Sequence, residues 1–239
     1  MTLEQLDISI NLKNHKVMAW LSPSFPLGSF AYSHGLEFEI CEGNISTSED
    51  LFEWLQNILR FGSAWNDLVL FCNSYKAKVA YLHELSDIAK AFAQSRERYY
   101  ETIEMGTAFS KIISSIEGVD LKGMPLPIIM GYVAKIENVQ LEYILPLYAH
   151  SFISNLICVS MRLLPLGQTE AQKLLFTLFP VIDEVSKEAL KSNIDDMRNK
   201  CVLSDLASMK HETLKVLSLI HISEPTRQAE ISYAVFCLK

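Results

Sequence analysis

Apolar residues recur at helical spacing along most of this chain, and that repetition constrains the fold more than any other feature of the sequence. A clear example follows the capping-box pattern of Ser46 and Glu49, where apolar side chains three and four positions apart form one stripe: Leu51, Leu55, Ile58 and Leu59. Runs that alternate apolar and polar residues are scarce, and no Asn-Gly or Asp-Gly turn joins two β-branched runs. The sequence therefore predicts an all-α protein.

Glycine and proline residues divide this pattern into segments. Gly62 is expected to end the first helix, and the clearest loop is 118–127 (GVDLKGMPLP). Further helices are predicted at 65–78, 82–94, 96–116, 128–136, 139–164, 168–188 and 204–216. Either half alone would leave long apolar helices exposed, so we predict one bundle of about eight to ten helices in a single domain.

Charge and hydropathy exclude several classes of protein. The formal net charge of −7 argues against nucleic acid as a partner, because phosphate binding needs a basic surface. The first residues show no basic region followed by an apolar run, as a secretion signal would. The longest apolar stretch, 144–164, is interrupted by polar residues, which favours a buried helix over a membrane span. We expect a cytoplasmic protein without membrane contact.

The cysteines are widely spaced and form no CxxC pair: Cys41, Cys72, Cys158, Cys201 and Cys237. This spacing argues against structural zinc. Isolated cysteines in a cytosolic chain are usually small buried hydrophobic residues, and that is the expectation here.

The end of the chain does not match the rest of it. Residues 217–227 (LSLIHISEPTR) and 231–238 (ISYAVFCL) are what two adjoining sequencing adaptors encode in one reading frame, with residues 228–230 where a sample index would lie. We therefore divide the chain into a domain at 1–216 and a translated artefact at 217–239, which is excluded from the fold prediction. The alternative is a natural apolar C-terminal strand.

The segment 21–37 (LSPSFPLGSFAYSHGLE) concentrates unusual chemistry in a short stretch. Its prolines and Gly28 predict a rigid turn, after which a helix is expected to bury Phe30, Leu36 and Phe38. His34 and Glu37 are three residues apart and would be neighbours on that helix, where they could bind nickel or zinc. Two ligands do not make a tight site, and the alternative is a histidine oriented by a neighbouring carboxylate.

Other polar groups admit ordinary structural interpretations. Arg162 near a helix C-terminus is favoured by the helix dipole, or else is an interface anchor. His211 and Glu212 are expected on a polar helix face, and Tyr99 and Tyr100 among charged residues on a surface or a protein contact. The sequence contains no GxxxxGK[ST], GxGxxG, HExxH or GxSxG pattern, so we expect no nucleotide site of those kinds.

Four separated segments, in order, resemble the urease accessory protein UreF family. They are the FPLGSFAYSHGLE core of 21–37, AFAQSRERYYETIEMGTAF at 91–109, LPIIMG at 126–131 continuing through SNLICVSMRLLPLGQTEAQ at 154–172, and SDLASMKHETLK at 204–215. The resemblance covers about residues 16–216. The family pattern would continue after Lys215 into a short arginine-rich ending, where this chain enters the adaptor-like sequence instead.

The resemblance implies a non-enzymatic nickel-insertion chaperone with an all-α homodimeric fold. Such proteins bridge UreD (also called UreH) and the GTPase UreG, modulate GTP hydrolysis in trans, and act on the urease apoenzyme. No cofactor is then expected on the chain itself: nickel is in transit and GTP is held by UreG. By resemblance, partner-binding or metal-passage roles fall to Glu37, Arg162 and Gln168, with Tyr32, His34 and Gly35 second.

Three alternatives stay open on the sequence. The chain could be an all-α protein-interaction adaptor unrelated to urease, or a helical enzyme with an unrecognised site, although no carboxylate cluster such as DDxxD is visible. A nickel-storage protein would need more His and Cys than this chain has, since they are spread singly.

Overall fold

The computed structural model describes residues 3–118 and 121–212. Those residues form ten α-helices and three short 3-10 helices, with no strand among them. The α-helices are α1 Leu3–Trp20, α2 Leu36–Cys41, α3 Ser48–Phe61, α4 Ser63–Lys76, α5 Leu82–Ala91, α6 Arg96–Glu117, α7 Leu126–Ile136, α8 Leu141–Ser160, α9 Gln168–Ala189 and α10 Val202–His211. The 3-10 helices are Ser29–Ala31, Val79–Tyr81 and Ile194–Asp196. The all-α prediction is confirmed.

Helix α4 lies at the centre of the bundle and is buried around nearly its whole circumference. It packs most extensively against α7 and also contacts α3, α5, α8 and α9. The close approach of α4 and α7 depends on Gly131, because a Cβ there would lie 2.5 Å from the Phe71 carbonyl oxygen. Nearly all buried apolar side chains of the described residues belong to one continuous core.

Helix α8 is the one described helix that is long and apolar enough to cross a membrane, judged by length and composition. Half of its most apolar stretch is buried inside the protein. It packs against α9 and α4, as expected for a core helix.

Helix ends follow the predicted pattern with local differences. The stripe Leu51, Leu55, Ile58 and Leu59 is buried, and Gly62 separates α3 from α4 as predicted. The cap of α3 differs from the prediction: Thr47 and Asp50, not Ser46 and Glu49, form the capping box. The Asp50 carboxylate accepts from the Ser46 and Thr47 backbone N–H groups, which shifts the start by one residue.

Several other features differ from the sequence-based expectations. Helix α1 was not predicted. Phe30 lies in a 3-10 turn and is 59% exposed, whereas Leu36 is fully buried. Of the described cysteines, Cys72 is buried but Cys41 and Cys158 are exposed. Cys237 and the whole segment 217–239, together with 213–216, lie outside the described residues.

Candidate functional site

Helix α6 carries a row of carboxylates on one face. Glu97, Glu101 and Glu104 are spaced so that they follow one another along the helix. Each binds a side chain from another part of the chain: His211 of α10 at 2.8 Å, His34 at 3.0 Å, and the Tyr32 hydroxyl at 2.8 Å. Segment 21–37 and α10 therefore meet on α6.

His34 occupies a left-handed turn rather than a helix. Its φ is +53° and that of Gly35 is +79°, and α2 begins only at Leu36. The predicted helical neighbourhood of His34 and Glu37 is therefore wrong. His34 Nε2 lies 3.0 Å from Glu101 Oε1, and Nδ1 lies 3.1 Å from Ser63 Oγ. The carboxylate that orients His34 comes from α6.

The contact of His34 with Glu101 belongs to a larger buried network. Its members are six side chains with little exposure, linked in this order: Ser63, His34, Glu101, Arg98, Asp67 and Tyr148. We call this chain of contacts the buried network.

Arg98 bridges the two carboxylates of the buried network. Its guanidinium donates to Glu101 Oε2 at 2.8 Å and also to Asp67. Burial alone would raise the pKa of Glu101, but its interactions with His34 and Arg98 hold it at about 2. Burial, in contrast, raises the pKa of Asp67 against the opposing effect of Arg98. Two carboxylates thus share one fixed cation in the protein interior.

The Tyr148 hydroxyl completes the buried network. It donates to Asp67 Oδ2 at 3.1 Å. Burial, and then the Asp67 charge, raises the pKa of Tyr148 well above its ordinary value, so the phenol keeps its proton and remains a donor. Buried charges are tolerated only when they are paired and hydrogen-bonded, and the buried network meets that requirement.

Part of the buried network has the order of a serine, histidine and carboxylate group. Ser63 Oγ contacts His34, and His34 contacts Glu101, as in a hydrolase triad. The cavity beside Ser63 has a volume of only about 20 Å³ and is shared with Arg98. A substrate would have no room next to Ser63 Oγ, so this arrangement supports structure rather than acyl transfer.

A second histidine, His211, is held between two carboxylates. Its Nδ1 lies 2.8 Å from Glu97 Oε2, and its Nε2 lies 3.3 Å from Glu37 Oε2. We call these three residues the His211 clamp. The hydrogen bond to Glu97, followed by the charge of Glu37, raises the pKa of His211 although burial opposes the shift. The predicted polar surface for His211 is wrong: it is buried and joins α10 to α2 and α6.

The predicted metal candidates do not converge on one point. His34 pairs with Glu101, while Glu37 pairs with His211, so His34 and Glu37 have different partners. Both ring nitrogens of each histidine already have a partner. In 3–118 and 121–212, no group of three or more His, Cys, Asp and Glu side chains is placed to hold a metal ion.

Comparison of the sequence with known proteins identifies the family to which the chain belongs. The family model of UreF matches residues 45–179. A protein of Roseobacter denitrificans described as "Urease accessory protein UreF" is 41% identical over 194 residues, covering 81% of this chain and 87% of that protein. The chain belongs to the UreF family. A Cereibacter sphaeroides protein of the same description is 40% identical over 84% of this chain and 94% of its own length, and one of Mesorhizobium japonicum is 37% identical.

The residues assigned by resemblance to UreF proteins fall into two structural groups. Glu37, Tyr32, His34 and Gly35 lie where segment 21–37 contacts α6 and α10. Tyr32 donates to Glu104, and burial followed by that bond raises its pKa.

The other two assigned residues are exposed. Arg162, just after α8, donates to the Phe30 carbonyl at 3.0 Å. Gln168 is the first residue of α9 and lines a surface groove beside the start of α3. The residues that the resemblance assigns therefore form one group at the contact of segment 21–37 with α6 and α10 and one exposed pair.

Sequence reasoning missed most members of the buried network and the His211 clamp. Glu97 and Arg98 precede Tyr99 and Tyr100 on a helix face expected to be a surface or a protein contact, but their side chains are only 11% exposed. The regular spacing of Glu97, Glu101 and Glu104 was the available signal, because a row of carboxylates on one helix face needs cationic or hydrogen-bonding partners when it is buried.

The His211 clamp predicts a specific dependence of stability on pH. The folded pKa of His211 is raised above its unfolded value of about 6.5, so the contribution to the free energy of unfolding is full below that pH and is lost as pH rises through the folded pKa. We expect the wild type to lose more stability between about pH 6 and 8 than the His211→Asn variant. Urea unfolding across this range measures the difference.

The same comparison has an internal control. Burial lowers the pKa of His150, so His150 contributes with the opposite sign, and a His150→Asn variant should lose more stability over this interval than the wild type. Equal slopes for the wild type and His211→Asn would contradict the assignment of the pH effect to the His211 clamp.

Proposed function

We propose that this protein is a non-enzymatic urease accessory protein that helps deliver nickel to the urease apoenzyme. In this proposal it acts in the cytoplasm as a homodimer that bridges a UreD-type (UreH) protein and the GTPase UreG. Nickel passes through the assembly, and GTP is held by UreG. The proposal rests on the match of the chain to proteins named urease accessory protein UreF over 81–84% of its length.

The geometry supports a scaffold rather than a reaction centre. The charged side chains near segment 21–37 are paired with one another in the buried network and the His211 clamp. Groups committed to such pairs hold neighbouring elements in register. Arg162 and Gln168, which are exposed, are the better candidates for direct contact with a partner.

Complementation tests the proposed function. A urease-producing host that lacks its own UreF is expected to regain urease activity when this chain is expressed with the host's UreD and UreG. An affinity tag on the chain is expected to co-purify the UreD-type partner and, through it, UreG. Failure to restore activity, combined with no binding to the UreD-type partner by a folded protein, would overturn the proposal.

Glu37 provides a residue-level prediction. Glu37→Ala removes one carboxylate from the His211 clamp and is expected to lower urease activation by about 10-fold, because the clamp holds α2 and α10 in the arrangement that a partner is proposed to recognise. Glu42→Ala is the matched control, because Glu42 lies at the end of the same helix and is exposed. A Glu37→Ala protein that has a normal circular dichroism spectrum and still supports full urease activation would contradict this role of Glu37.

A further inference from the structure

A cavity of about 320 Å³ lies where segment 21–37 packs against α6, α7 and α8. His34, Glu101 and Tyr148 of the buried network form part of its wall, but most of the lining residues belong to neither the buried network nor the His211 clamp. Its wall is mainly apolar and includes Trp20, Phe25, Leu27, Met105, Leu126 and Met130.

The size and polarity of this cavity suit a small organic ligand. Cavities that bind small ligands begin at about 300 Å³, and an engineered apolar cavity of about 150 Å³ binds benzene. Water needs two to four polar partners and is a poor occupant of an apolar space. The cavity therefore has room for a molecule of one or two rings.

The charged groups at the cavity wall are already neutralised by the protein. His34 and Glu101 bind each other, and Glu101 also binds Arg98. The Tyr148 hydroxyl donates to Asp67. A charged ligand would lose its hydration without gaining an unpaired counter-charge, so the cavity selects a neutral molecule.

The chain that covers the cavity is attached through its backbone. Carbonyl groups between Leu21 and Phe30 accept hydrogen bonds from Ser151, Asn155 and Arg162, at 3.1, 2.8 and 3.0 Å. The polar side chains on this side are thereby committed to the covering segment. Each of them uses a donor group to hold the covering segment, and the rest of the cavity wall is mainly apolar.

Two polar side chains that line the cavity, unlike the others discussed above, make no hydrogen bond to another described residue. They are the side chains of His150 and Ser154. The His150 ring packs against Phe179 with centroids 5.7 Å apart and an angle of 44° between the ring planes. Burial lowers the pKa of His150, so a neutral imidazole is present at pH 7, with one ring nitrogen able to accept a hydrogen bond.

We propose that this cavity binds a neutral aromatic molecule of one or two rings that carries one hydrogen-bond donor, with the rings against the apolar wall and the donor directed to His150. The contact with Trp20, Phe25 and Met130 supplies the affinity, because it removes apolar surface from water. The single hydrogen bond selects among molecules of similar shape.

Indole and indene test this proposal with the full-length protein. The two molecules have nearly the same shape, but only indole has an N–H group. Isothermal titration calorimetry is expected to show saturable binding of both at one site, with indole tighter. His150→Phe is expected to weaken indole binding by roughly 3–10-fold and to leave indene binding nearly unchanged.

Variants that fill the cavity provide a second test of the proposal. Ser154→Trp places a large side chain into the space and is expected to abolish binding of both probes, while Ser115→Trp on the exposed face of α6 should bind them as the wild type does. Cys158→Trp, at an exposed edge of the cavity, serves if Ser154→Trp does not fold. Absence of saturable binding by the wild type, or unchanged binding by a folded blocking variant, would overturn the proposal. An equal loss of both probes in His150→Phe would overturn the hydrogen-bond assignment.

Discussion

The Arg98→Leu variant is expected to be less stable than the wild type by about 3–5 kcal/mol. Arg98 is the guanidinium that both Asp67 and Glu101 share in the interior. Its removal leaves two buried carboxylates to be desolvated with only His34 and the Tyr148 hydroxyl as partners. Urea unfolding at pH 7 measures the loss.

The effect of Arg98→Leu should also depend on pH. In the wild type the pKa of Glu101 is about 2, so its stabilising contribution is present above about pH 4.5 and is lost as pH falls toward 2. Without Arg98 the folded pKa rises, and protonation relieves the buried charge at a higher pH. The difference between variant and wild type is therefore expected to shrink as pH falls below about 5.

Arg96→Leu is the matched control for Arg98→Leu. Arg96 is exposed at the start of the same helix, and its contact is with the Tyr100 ring at 5.4 Å. Its replacement should change stability by no more than about 1 kcal/mol. A loss below about 1 kcal/mol for Arg98→Leu would contradict the proposed charge pairing. A double-mutant cycle with Glu101→Gln then separates the pair from the individual side chains.

Local periodicity predicted most of the helices, because the apolar side chains that recur at helical spacing are also the ones that each helix buries in the core. Helix α6 was predicted at 96–116 and is observed at Arg96–Glu117. The apolar stripe of α3 and the break at Gly62 were also predicted. Such features depend on residues within a few turns of one another, and a single sequence contains that information.

The pairing of charged residues depends on contacts between distant segments, and local spacing did not predict it. His34 and Glu37 are close in sequence, yet the left-handed turn at His34 and Gly35 directs their side chains to different partners. Arg98 was placed on a helix face expected to be a surface or a protein contact, and no partner was predicted for Glu101. Their burial follows from the contacts of α6 with Asp67 of α4 and with His34 of segment 21–37.

The Ser204 side chain illustrates the same limit. The last helix was predicted to begin at Ser204, but α10 begins at Val202, and Ser204 Oγ donates to the His34 carbonyl at 3.3 Å. A serine near the start of a helix has several partners within reach. Which of them it binds is decided by the segment packed beside it.

The Gly35→Ala variant is expected to lose about 2–5 kcal/mol of stability, because two separate costs fall on one residue. The φ of Gly35 is +79°, which costs an L-residue about 1–2 kcal/mol. An added Cβ would also lie 2.7 Å from both the Ala207 Cβ and the Ser208 backbone nitrogen of α10. That contact requires α10 to move away, at a further cost of about 1–3 kcal/mol.

Gly43→Ala separates these two costs. Gly43 has nearly the same φ, +77°, but nothing lies within 4 Å of an added Cβ, so only the backbone cost of about 1–2 kcal/mol is expected. Displacement of α10 would also pull His211 from Glu37 and Glu97, so Gly35→Ala should lose the pH dependence of the His211 clamp while Gly43→Ala retains it. Equal unfolding free energies and equal pH slopes for the two variants would show that the close approach of Gly35 to α10 does not hold this site together.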